Sequence, residues 1–159
     1  MAESFTGQRF TDSLEGIVAE AGVLGVSAAV IQRGRKRAGA GGFRTPENRD
    51  RLEVGAKFPI FSITKTMMAV TALRLVESGQ IALDDNIADW MDEVPHRRNV
   101  SLWNLLGHTS GIPDYGSVEA YHLAVRDVPG TPWGFDDIWR CAQSSPWMFE
   151  AGSGWEYSN

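Results

Sequence analysis

The chain has 159 residues, 43% of them hydrophobic, with 15 Lys and Arg against 20 Asp and Glu and a formal net charge of −5. That length suffices for one ordinary core, and the acidic balance argues against a nucleic-acid partner. No apolar run reaches membrane-spanning length, and the one cysteine, Cys141, excludes an internal disulfide.

The opening stretch from Met1 to Gly7 has neither the basic region nor the apolar segment of a secretion signal. A cytoplasmic location is therefore expected for the chain as it stands, or a periplasmic one if a leader has been removed. Thr11 is placed to cap a first helix in which Leu14, Ile17, Val18 and Ala21 recur at helical spacing, with Gly22 as its stop. Residues 25–32 and 35–43 read as two strands around the Arg33-Gly34 turn. The basic cluster Arg33-Gly34-Arg35-Lys36-Arg37 is then a solvated hairpin end rather than a phosphate site. Polar residues 45–51 form a loop. Gly39-Ala40-Gly41-Gly42 is not a dinucleotide fingerprint, because the last required glycine falls on Arg44. His96, His108 and His122 have no partners at zinc-ligand spacing, so neither a metal nor a cofactor is expected.

From Ser62 to about Ser78 runs a helix apolar on most faces, through Met67, Met68, Val70, Leu73, Leu75 and Val76, which belongs in a core and stops at Gly79. Short helices and loops follow Leu83, broken by Pro95, Pro113, Pro129, Pro132 and Pro146. All six tryptophans fall in this second half, where most are expected to be core. Trp155, Tyr115 and Tyr121 are candidates to line a pocket for an apolar group.

Ser62 and Lys65, three apart on a helix, share a face, so the amine is expected to reach the hydroxyl. Of the fifteen basic residues only three are lysines (Lys36, Lys57, Lys65), and one of these, able to lose a proton as arginine is not, stands here. A serine hydroxyl needs a neighbouring base and a site for its developing oxyanion. A helix start at Ser62 supplies free N–H groups, and burial among Phe61, Ile63, Met67 and Met68 would favour a neutral amine. The bland alternative is a serine that only caps the helix beside a solvated lysine. Chance alone yields about 0.2 Ser-x-x-Lys matches in such a chain, so a second signal is needed. It stands at Tyr157-Ser158-Asn159, after the turn Gly152-Ser153-Gly154. A phenol beside an ammonium group has its pKa lowered and can serve as a base, and the Asn159 amide can fix a substrate carbonyl or amide.

Ser62-Ile63-Thr64-Lys65 with Tyr157-Ser158-Asn159 resembles the penicillin-recognising serine hydrolases, which include β-lactamases and D-Ala-D-Ala peptidases. Tyrosine at the head of the second motif is similar to the class C β-lactamase and esterase branch. The stretches from Leu75 to Asp85 and from Leu105 to Ile112 look like the same branch, and the likeness spans nearly the whole chain. The resemblance implies an α/β (α+β) architecture: a partial β-lactamase-like fold with an antiparallel sheet, packed helices and a helical subdomain, its C-terminal strands and helix missing. Residues 1–58 would be the N-terminal part of the sheet domain, and 59–159 the nucleophile helix and helical subdomain. It implies a serine hydrolase forming an acyl-enzyme on a β-lactam, a D-amino-acid peptide or a small ester. Ser62 would be the nucleophile and oxyanion N–H donor, Lys65 its proton partner, Tyr157 the base, and Asn159 the substrate-orienting side chain. A third motif, Lys or His followed by x-Gly, is absent from these residues, so the piece alone is expected to be inactive without it. A noncatalytic remnant of the same fold is the other reading. Either way the first two strands and the apolar helix would be left uncovered, calling for a partner: the complementary C-terminal half or another copy of the chain.

Overall fold

The computed structural model describes residues 7–47 and 49–159. Residues 1–6, read above for a leader, and Asn48 of the 45–51 loop lie outside that description. The chain divides into two compact units, one running to Ile60 and the other spanning Phe61–Asn159.

In the first unit, helix α1 (Gly7–Ala21) is followed by strands β1 (Gly25–Gln32) and β2 (Arg35–Gly42). The strands pair antiparallel in the register Gly25↔Gly42 to Gln32↔Arg35. Their two-residue turn has positive φ at both Arg33 (49°) and Gly34 (73°), the twist-matched geometry that a hairpin requires. Helix α1 starts a turn earlier than the sequence suggests, so Thr11 lies inside the helix instead of capping it; Gly22, at φ 64°, is its stop as expected. The helix lies unusually close to β2 because glycines face it. A Cβ at Gly41 would stand 2.9 Å from the Leu14 carbonyl carbon and the Glu15 nitrogen. Leu14, 4% exposed, fills that contact. Glu15 accepts from the Gly42 N–H at 3.2 Å and pairs with Arg51, which ties the loop to the helix.

The second unit opens with helix α2 (Ile63–Glu77) and continues through α3 (Leu102–Leu106), α4 (Glu119–Asp127) and α5 (Phe135–Gln143), joined by 3₁₀ turns and loops. Helix α2 closes as its glycine foretells: the Gly79 N–H donates to Val76 O and the Gln80 N–H to Leu75 O, the paired bonds of a Schellman end. The core here is Ile87, Ala88, Val94 and Val100, with Leu105, Ile112, Trp139 and Trp147 against it. A bridge between Asn86 and Ser101 holds it shut.

Two expectations about burial fail. No residue of α2 is buried, and Met67, Met68, Val70 and Leu73 are exposed. Among the tryptophans, Trp90, Trp103 and Trp155 are exposed and the other three are half-buried. Apolar composition marks surface destined for cover, but the cover must be within reach of these residues, and for α2 it is not. Among the described residues the sheet has two strands only, each with an unpaired edge. No helix among them is long and apolar enough to cross a membrane.

Candidate active site

Ser62 sits at the N-terminus of α2, but its side chain makes no capping hydrogen bond. The bland capping role is thus not the one it fills. The residue before it, Phe61, has φ 42°, a conformation that costs a bulky L-residue energy and is often kept where a functional group must be presented. The Ser62 hydroxyl lies 2.5 Å from the Tyr157 hydroxyl. Among the described residues its backbone N–H has no acceptor, as an oxyanion donor requires.

Lys65, one turn along, does not hydrogen-bond Ser62. Its Nζ donates to Asn159 Oδ1 at 2.6 Å and stands 5.0 Å from the centre of the Tyr157 ring. The serine and lysine are therefore linked through Tyr157 and Asn159 rather than directly. Helical spacing puts two side chains on one face; it does not fix which partner a four-carbon stem selects. Lys65 is half-buried, but the apolar side chains expected to bury it, Phe61 (80% exposed), Ile63, Met67 and Met68, are themselves exposed.

The Tyr157 hydroxyl also donates to Asn159 Oδ1 at 3.2 Å. Its pKa is lowered from the ordinary phenol value, first by hydrogen bonding from Lys65, then by the Ser62 hydroxyl and the Lys65 charge; desolvation and the Asp114 carboxylate act the other way. Lowering stabilises the phenolate, the form that can take a proton from Ser62.

Tyr157 arrives on a segment held by backbone bonds to the 108–111 loop. The Met148 N–H donates to Gly111 O at 2.9 Å, the Gly152 N–H to Thr109 O at 2.8 Å, and the Glu156 N–H to His108 O at 3.1 Å. Gly111 has φ 76° and any Cβ there would strike the Phe149 carbonyl, so glycine is obligatory. The His108 ring lies tilted against Tyr157, their centres 4.7 Å apart, and its Nδ1 accepts from the Ser158 N–H at 3.4 Å. Two residues at the site, His108 and Asp114, escaped the sequence reading. His108 stood inside the Leu105–Ile112 stretch without a role, and Asp114 was legible only as a Pro-Asp turn signal.

Beside Lys65 and Asn159 opens a cavity of about 530 Å³ walled by Phe61, Met68, Leu106, Ile112, Tyr115 and Phe135. Tyr115 lines it, and desolvation is the first cause of that phenol's raised pKa. Trp155 does not line it; it stands edge-on to His108 at 6.2 Å. Tyr121 packs behind Tyr115 at 4.9 Å.

A serine at a helix start, joined to a tyrosine, a lysine and an asparagine, is the arrangement of the penicillin-recognising serine hydrolases. The β-lactamase family profile matches residues 10–159, and the chain belongs to that family. It is 34% identical over 112 residues to esterase EstB of Burkholderia gladioli, covering 64% of this chain and 29% of the esterase. Penicillin-binding protein 4* of Bacillus subtilis (strain 168) is 29% identical over 114 residues, covering 68% of this chain and 23% of that protein. The solved structure of D-amino acid amidase from Ochrobactrum anthropi SV3 superposes with a TM-score of 0.77 at 25% identity, over 96% of this chain and 41% of the amidase. The chain thus spans well under half the length of each of these proteins.

Proposed function

We propose that the chain carries the acylation site of a serine hydrolase that forms an acyl-enzyme at Ser62 on a small amide or ester. The Ser62 Oγ attacks the substrate carbonyl while Tyr157 takes its proton. As the tetrahedral intermediate collapses, the carbon–nitrogen or carbon–oxygen bond breaks, and Tyr157 returns the proton to the leaving amine or alcohol. Lys65 stabilises the phenolate, the Ser62 N–H faces the oxyanion, and Asn159 orients Lys65 and the substrate. The observation that carries this reading is the 2.5 Å contact between Ser62 Oγ and the Tyr157 hydroxyl, beside an ammonium group.

The apolar cavity supports substrates whose acyl side bears a bulky apolar group. The names of the relatives, an esterase, a penicillin-binding protein and a D-amino acid amidase, support small esters, β-lactams and D-amino-acid derivatives as the substrate class. Intact-mass spectrometry after exposure to a fluorophosphonate tests the reading, on the chain joined to a downstream half that bears the third motif. One adduct per protein is expected at Ser62, lost in Ser62→Ala; a joined, folded protein that takes no adduct refutes it.

A further inference from the structure

We propose that Asp114 is a positioning residue of this site: its carboxylate sets which end of the Asn159 amide faces Lys65 and Tyr157, and so holds the cation at the base. The inference rests on the reading of Ser62 as nucleophile and Tyr157 as base, and assigns the part of the site that keeps the base primed.

A primary amide has a donor end and an acceptor end of nearly the same shape. Asn159 Nδ2 lies 3.2 Å and 3.3 Å from Asp114 Oδ1 and Oδ2, and only its oxygen is left to face Lys65 Nζ and the Tyr157 hydroxyl. Turning the amide over would set NH₂ against an ammonium group and a carbonyl oxygen against a carboxylate. Both faces would be repulsive, so one charge on each side enforces a single orientation. The grip extends to the main chain, where the Asn159 N–H donates to Asp114 Oδ1 at 3.2 Å. Asp114 is itself fixed, because Oδ1 accepts from the Gly116 N–H at 2.9 Å as the cap of the 3₁₀ turn Tyr115–Ser117. Gly116 leaves the room: a Cβ there would stand 3.1 Å from Asn159 Nδ2 and 3.2 Å from both carboxylate oxygens.

The carboxylate has a cost, since its charge opposes ionisation of Tyr157. A group that disfavours the phenolate directly and favours it through Lys65 leaves a distinctive signature. The groups around the phenol are Ser62 before α2, Lys65 of α2, Asn159, Asp114, Tyr115 and the tilted His108 ring. The coupling between Lys65 and Tyr157 can therefore be isolated by a double-mutant cycle.

The chain has three tyrosines, so ¹³Cζ-tyrosine NMR follows Tyr157 directly. Lys65→Met should raise the Tyr157 midpoint in the wild-type background. In the Asp114→Asn background that rise should shrink at least about twofold, and in Asp114→Ala by at least as much. Asparagine can keep the Oδ1 bonds to the turn and to Asn159, but it removes the charge and sets an NH₂ group in place of Oδ2 against Asn159 Nδ2, which weakens the hold on the amide's orientation and keeps the test decisive if the alanine variant unfolds. A full-sized Lys65→Met shift in the folded Asp114→Asn protein overturns the proposal. Because the readout needs no turnover, failure of the hydrolase reading shows separately: Ser62 would then take no fluorophosphonate while the coupling still responds to Asp114.

Discussion

A phenol works as a base near neutral pH only where its anion is stabilised, and at Tyr157 Lys65 and Ser62 supply the stabilisation. The sign is fixed by charge. Replacing Lys65 by methionine removes the main cause of the lowering, so the Tyr157 midpoint should move up toward the ordinary phenol value in an ultraviolet or NMR titration; a midpoint that stays put would remove Lys65 from the mechanism. At this scale the sequence was informative about identity and less so about pairing. Ser62, Lys65, Tyr157 and Asn159 do converge, but Lys65 binds Asn159 and not Ser62. Spacing constrains the face on which a side chain lies, while the bond it makes depends on groups 94 positions away.

Among the elements, β1, β2, their turn and the glycine ends of α1 and α2 were legible, since each has a local cause: positive φ at Arg33 and Gly34, and the helix stops Gly22 and Gly79. The start of α1 was not: Thr11 is a good capping residue type, but Phe10 continues the apolar stripe one turn before Leu14 and packs with it against Gly39. The closeness of α1 to β2 depends on Gly41, and this yields a contrast. Gly41→Ala must push against helix backbone at 2.9 Å, and should destabilise by about 1–3 kcal/mol as overpacking does. Gly16→Ala, in the middle of the same helix with nothing within 4 Å, should stabilise by about 0.5–1 kcal/mol. Urea denaturation followed by circular dichroism measures both, and equal effects of one sign would contradict the packing account.

Across the whole molecule, burial was the least legible property. The apolar pattern of α2 reads as core and stands exposed, because burial belongs to the surroundings and periodicity reports only which residues would gain from it. Within the second unit the site joins the start of α2 to the Tyr157 segment, 95 positions apart, through the glycine-dependent clasp at residues 108–111. The most direct test of that union is the pH dependence of Ser62 acylation by a fluorophosphonate, on the chain joined to a downstream half that bears the third motif. With Tyr157 phenolate as the base, as proposed, the wild type should accelerate as pH rises through the lowered Tyr157 pKa. Tyr157→Phe should be slower by about 10²–10⁴-fold and lose that limb. An unchanged rate and an unchanged profile in Tyr157→Phe would contradict the account.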